Sequence, residues 1–284
     1  MRRVAAYRGN RILFNFIRAN AISGTVILPV NICTSVVETL HYAGLNIRFV
    51  DIAADSLCMD TDAALEQVND ASLLIYVHTY GAESIPDAFF SEAKKRNPNI
   101  YIVDDRCLCI PELEMNACEH SLADIVLFSL GPKKFVVMGH GAIAFVSNQC
   151  SYEEIEENSF FEPVDYFFDE VAVSARREEL RALKQRLNDI YHDMLPKSIQ
   201  MPDIYHNWRF NIWVNNKAEI MQALTDNGLF ASGHYKPQAE GFPVAKDLYE
   251  HVVNLFNDSY FTEEHARRTC EIINEKIKNE RMKE

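Results

Sequence analysis

Short, almost wholly apolar runs separated by helix-length polar stretches fill the first half of the chain, and they constrain the fold more than any other feature. Thr25-Val-Ile-Leu-Pro29, Asn46-Ile-Arg-Phe-Val-Asp51, Ser72-Leu-Leu-Ile-Tyr-Val-His78, Ile100-Tyr-Ile-Val-Asp-Asp105 and Ile125-Val-Leu-Phe-Ser129 read as strands. A strand that is apolar at successive positions buries both of its faces, which points to a parallel sheet with helices packed on each side. Between these runs, residues 35–42 (stopped by Gly44), 60–68 (capped by Asp60 or Thr61) and 86–96 read as helices.

The pattern changes near residue 148. Residues 151–170 are acidic and aromatic, 173–194 form a long helical pattern, and Pro196 and Pro202 bracket a connector. A smaller unit follows, with a strand at 209–214, a helix at 217–227 ended by Gly228, and a charged amphipathic helix from Thr262. The expected organisation is α/β: a large domain over 1–148 with a mostly parallel sheet flanked by helices, a linking segment over 149–202, and a small C-terminal α/β domain over 203–284.

Charge and cysteine usage narrow the setting. The chain carries 28 Lys+Arg against 41 Asp+Glu, a net charge of −13, which disfavours nucleic acid as a partner. The apolar runs are too short and too often interrupted for a membrane span, and Met1-Arg-Arg is followed by no apolar leader. Cys33, Cys58, Cys107, Cys109, Cys118, Cys150 and Cys270 are odd in number and scattered, and Cys107-Leu-Cys109 is the only close pair. Reduced thiols in the cytoplasm are expected, and no metal site.

In sheets of this kind, ligands bind beyond the carboxyl ends of the strands. The polar residues there are Asn31, His78-Thr-Tyr-Gly81, Asp104-Asp105, and Ser129 followed by Lys133-Lys134 and a Gly139-His-Gly141 turn. A lysine beside a buried acid, with a hydroxyl and backbone amides for a phosphate, is what pyridoxal phosphate (PLP) requires. The amine forms a Schiff base, the acid keeps the pyridinium nitrogen protonated, and the hydroxyl holds the phosphate. On spacing alone, a structural strand-tip acid, a surface lysine pair and an ordinary glycine turn explain the same residues and are commoner.

The order of the segments resembles the DegT/StrS family of PLP-dependent sugar aminotransferases, of the fold type I architecture. Its strand-Pro segment is echoed by Val26-Ile-Leu-Pro29, its "Val-His-x-x-Gly" by Val77-His78-Thr-Tyr-Gly81, and its "Ile-Glu-Asp-x-Ala" by Val103-Asp104-Asp105-Arg-Cys107. "Phe-Ser-Phe" and the following "Pro-x-Lys…Gly-x-Gly" are echoed by Phe128-Ser129-Leu130, Pro132-Lys133-Lys134 and Gly139-His140-Gly141. Gly228 to Pro237, with His234-Tyr235, resembles the family's "Gly-Ile…His-Tyr-Pro". The resemblance covers about residues 9–148 and 205–278.

The resemblance implies Lys134 as the Schiff-base lysine, Asp105 as the partner of the pyridinium nitrogen, and Ser129, Gly9 and Asn10 around the phosphate, with His234 and His78 near the substrate. It implies a homodimer whose sites lie between subunits. The implied reaction moves an amino group from glutamate or glutamine to a keto group on a nucleotide-linked sugar. A PLP enzyme with a different acceptor or reaction, or a non-catalytic relative acting as a binding or scaffold subunit, are the alternatives. They arise from departures: Asn31-Ile32-Cys33 replaces the family's aromatic-Thr-aromatic, Arg8 stands where the phosphate loop usually has Ser, and Leu108 replaces a polar residue. The family's N-terminal arm and its cross-subunit helix after the lysine hairpin are expected to be missing, since the phosphate loop begins at Gly9 and residues 150–175 are acids and phenylalanines.

Overall fold

A computed structural model describes residues 1–84, 86–114, 121–155 and 166–281. Cys118 and half of the acidic-aromatic stretch, residues 156–165, lie outside the described residues. The five strands expected from sequence form as β2 (Thr25–Pro29), β3 (Asn46–Val50), β4 (Leu73–Val77), β5 (Tyr101–Asp105) and β6 (Ile125–Ser129). All five run parallel. Two more strands join them: β1 (Arg2–Ala6) and β7 (Ala142–Val146), giving the order β1-β7-β6-β5-β4-β2-β3. β7 is antiparallel to both of its neighbours, so the sheet is mixed and mostly parallel.

Side-chain alternation explains why the sheet is covered twice. Val26, Leu28, Leu73, Ile75, Val103, Ile125, Leu127, Ala142 and Ala144 share one core with α1 (Gly9–Ala19) and α2 (Thr34–Tyr42). Ile27, Leu74, Tyr76, Ile102, Val126, Phe128, Ile143 and Phe145 share the opposite core with α3 (Thr61–Leu65), α4 (Asp87–Arg96) and part of α5 (Glu170–Met194). Asp60 is the cap of α3, its Oδ1 accepting from the backbone N–H groups of Asp62 and Ala63 at 3.1 Å.

The remaining elements form a three-stranded antiparallel sheet in the order β8 (Phe210–Trp213), β10 (Val252–Leu255), β9 (Ala231–Ser232). The far half of α5, α6 (Lys217–Asp226) and α8 (Glu263–Arg281) pack on it through Leu187, Tyr191, Leu224, Cys270 and Ile273. α7 (Pro243–His251) leads into β10 and belongs to a fourth cluster, which joins Val30, Tyr80 and Leu108 of the large sheet's loops to Trp208, Leu248 and Val252. That cluster seats the smaller sheet beside the carboxyl ends of the parallel strands. Among the described residues, no helix is long and apolar enough to cross a membrane.

A buried lysine sits at this seam. Lys184 of α5 donates to the Trp208 carbonyl at 2.7 Å and to Asn257 Oδ1 at 2.8 Å. Burial drives its amine down to about 7, Asp258 pulling the other way and Arg209 adding to the fall. A neutral amine has two hydrogens, and these two acceptors take them. Because the folded pKa lies below the unfolded one, the cost of burial is full under pH 7 and fades as pH rises toward the ordinary lysine value. Relative to Lys184→Met, the wild type should therefore gain roughly 1 kcal/mol of stability per pH unit between pH 7.5 and 9.5. Urea denaturation of both proteins across that range measures it, and a constant gap would refute it.

Candidate active site

Side-chain alternation along β5 sends its two terminal carboxylates to opposite faces. Asp104 shares the face of Ile102 and is wholly buried. Its Oδ1 lies 2.6 Å from His78 Nε2 and its Oδ2 accepts from Arg106 Nε at 2.8 Å. Burial alone would raise this carboxyl, but His78 and then Arg106 outweigh it and hold it below the usual carboxylate range. His78 Nδ1 faces the Ala82 carbonyl at 2.9 Å, so both ring nitrogens are committed to this network.

Asp105 shares the other face and opens into a cavity of about 370 Å³ on the α1–α2 side of the sheet. The same cavity is lined by Gly9, Asn10, Ser129, Lys133 and Lys134. The topology gathers them: Ser129 pairs with Ala142 and Ala142 with Ala6, so the ends of β1, β5 and β6 and the β6–β7 loop all meet at one edge. Five residues singled out from sequence, Gly9, Asn10, Asp105, Ser129 and Lys134, therefore converge. His78 and His234 do not line this cavity. His234 is buried, with Nε2 accepting from Asn31 Nδ2 at 3.0 Å and its ring edge-on to Tyr80, and burial lowers its pKa to about 4.

α1 begins at the cavity without a side-chain cap and without an acid in its first turn. The uncapped N–H groups and the helix dipole make that end attractive to an anion, and Arg8 and Ser129 line the same cavity. Asn10 spends its side-chain amide on the Ser35 carbonyl at 3.0 Å, tying the start of α1 to α2. Asp105 Oδ1 accepts the Cys107 N–H at 2.9 Å, and among the described residues the carboxylate has no ion pair. Lys134, among the described residues, makes neither a hydrogen bond nor an ion pair. Lys133 before it sits in the left-handed region at φ +62°, which costs a non-glycine residue about 1–2 kcal/mol.

Several cavity residues were not assigned from sequence. Tyr235 reaches in from the smaller unit beside Cys33 and Asp105, its hydroxyl pushed up first by burial and then by the Cys33 thiol. Tyr7 and His140 stack at 4.7 Å on the rim. Of the six described cysteines, all free, Cys33 and Cys107 line the cavity while also packing against the core on the α1–α2 side. Away from it, His192, Asp203 and His206 bring ligand-type atoms within 4.8 Å of one another. There the Asn211 N–H donates to His206 Nδ1 at 3.2 Å, leaving the neutral ring's proton on Nε2, the nitrogen an ion would need.

The sheet and the smaller unit together are the fold type I aminotransferase architecture. The sequence pattern of the DegT/DnrJ/EryC1/StrS aminotransferase family matches residues 9–160, and the chain belongs to that family, whose cofactor is PLP. Spr1654 from Streptococcus pneumoniae, described as a sugar aminotransferase and solved in its PMP form, is similar with a TM-score of 0.78 at 17% identity, over 95% of this chain and 86% of that one. Helicobacter pylori PseC, an aminotransferase of pseudoaminic acid biosynthesis, is similar with a TM-score of 0.76 at 14% identity, over 97% and 86%. The aminotransferase from Psychrobacter cryohalolentis is similar with a TM-score of 0.76 at 14% identity, over 98% and 87%. No curated protein sequence matches the chain.

The two neighbouring acids should respond differently to the same change. Asp104→Asn strands a buried cationic network and should lower unfolding free energy by about 3 kcal/mol or more. Asp105→Asn keeps an oxygen for the Cys107 N–H and should cost less than about 1 kcal/mol. Chemical denaturation of the two variants at pH 7 separates them, and equal losses would contradict the assignment of faces.

Proposed function

We propose that this protein is a PLP-dependent aminotransferase that takes an amino group from glutamate or glutamine and delivers it to a keto group on a nucleotide-linked sugar. The observation that carries the reading is the division of the cavity into three unmatched chemistries. An uncapped helix start with Ser129 and Arg8 suits a phosphate, and, among the described residues, a buried carboxylate without an ion pair suits a protonated ring nitrogen and an uncommitted lysine amine suits an aldehyde. The residues present fit the cofactor. Gly9, Asn10 and Ser129 would hold its phosphate, Asp105 its ring nitrogen and Lys134 its aldehyde carbon.

When bound, the cofactor supplies the carbonyl that accepts the amino group and a ring that withdraws electrons from the donor's α-carbon. Lys134 Nζ would hold it at its aldehyde carbon and, once freed by the donor's amine, would carry the proton away from the α-carbon as general base and return it as general acid. The Asp105 carboxylate would favour a proton on the ring nitrogen, which would keep the ring electron-withdrawing. A homodimer and a cytoplasmic location belong to the same proposal, the latter supported by the six free cysteines. So does the division into domains 1–148 and 203–284 joined by 149–202. The donor and acceptor rest on family relationship rather than on any assigned contact.

Mixing the purified protein with PLP should produce a visible absorbance band that glutamate bleaches. Borohydride should fix a pyridoxyl group on Lys134, found by peptide mass spectrometry. Lys134→Ala should lose the band and lower kcat by at least about 10²-fold. A wild type that gives no band sinks the proposal. Sedimentation should show a dimer at micromolar concentration.

A further inference from the structure

Both Lys133 and Lys134 line the cavity, and something must decide which amine is presented. The backbone between them holds the answer. Lys133 is held at φ +62°, and its carbonyl oxygen accepts the indole N–H of Trp208 at 2.8 Å. That oxygen lies in the peptide plane joining Lys133 to Lys134, so a bond to it fixes the plane and with it the direction in which the Lys134 side chain leaves. Should Lys133 relax to negative φ, the following peptide plane turns and the Lys134 side chain leaves in a different direction.

Trp208 is itself held at every polar group. Its N–H donates to the Tyr80 carbonyl at 3.2 Å and its carbonyl accepts from Lys184 at 2.7 Å. Its ring lies parallel to Tyr80 and carries the Arg209 guanidinium 4.4 Å from its centre. This nearly buried side chain, set just before β8, thus reaches from the smaller unit to the one strained residue of the lysine loop. We propose that Trp208 is a positioning residue that selects Lys134, rather than Lys133, as the amine presented to the cavity, by holding the Lys133 carbonyl. The proposal rests on the PLP reading of the cavity.

The test is reductive trapping: PLP is added, borohydride follows, and the pyridoxyl group on Lys133 and on Lys134 is quantified in peptides. The wild type should carry it on Lys134. Trp208→Phe keeps an aromatic ring and loses the N–H, and it should lower the Lys134 to Lys133 ratio by about fivefold or more, the worth of one net hydrogen bond. A folded Trp208→Phe with the wild-type melting temperature and an unchanged ratio overturns the proposal. A second pair does not depend on that variant folding, because Lys133 is exposed. Lys133→Gly accepts left-handed φ freely and should label Lys134 at least as fast as wild type, whereas Lys133→Val resists it and should label about fivefold more slowly. Equal rates for Gly and Val also overturn it. A wild type that takes no label at either lysine overturns the cofactor reading and this assignment together, whereas labelling of Lys134 that none of these changes alters overturns this assignment alone.

Discussion

The buried contact of Asp104 with His78 and Arg106 is the constraint on which the cavity depends. It lies behind the sheet, at the tips of β4 and β5, where two parallel strands would otherwise end in an unpaired carboxylate. A buried carboxylate is tolerated only when hydrogen bonds and positive charge offset its lost hydration, and here both oxygens are occupied. With Asp104 anchored on that face, the pleat of β5 obliges Asp105 to face the opposite way. The acid that opens into the cavity is aimed by the acid that does not. The network also accounts for His78, whose ring is committed to the strand tips and has no nitrogen left for a ligand.

The antiparallel return of β7 is the second structural requirement. A sheet of parallel strands alone would carry the chain away from this edge by a crossover after β6. The hairpin instead turns back at once, so the lysine loop stays over the cavity, and β1 beside β7 delivers the start of α1 to the same edge. An anion-attracting helix end, an acid and an amine thus come from three different elements whose termini are fixed by backbone pairing. The smaller sheet closes the arrangement through Tyr235 and Trp208, neither of which belongs to the large sheet at all.

What could be read from sequence follows from this division. The five parallel strands were legible because apolar residues at successive positions leave few alternatives, and the strand ends carrying Asp104-Asp105, Ser129 and Lys133-Lys134 were legible as a ligand-facing edge, whereas the choice of Asp105 and Lys134 within them came from the family resemblance. β1 was not, because Arg2 and Arg3 make its start look exposed and its partner lies 140 residues away. β7 was hidden for a related reason: Ala142-Ile-Ala-Phe-Val146 is apolar throughout but carries no sign of its direction. The wall formed by Tyr235, and the indole on the Lys133 carbonyl, depend on how two units pack, and no local pattern encodes that. His234, carried over from a suggestive motif, is packed against Asn31 and Tyr80, a contact the motif does not encode.

The charge distribution shows why a net value can mislead about a site. A chain of net charge −13 repels polyanions at a distance of a Debye length or more, which is the range over which net charge acts. Inside the cavity the relevant sources are a few ångströms away: Arg8, Lys133, Lys134 and the open end of α1 against Asp105, the one carboxylate among the described lining residues. Coulomb energy falls with distance and with dielectric, so these near, partly desolvated groups outweigh distant surface acids. The cavity is therefore polarised, cationic at the helix start and anionic at Asp105. A ligand bearing an anionic group at one end and a protonated ring nitrogen at the other would be oriented by that polarity alone.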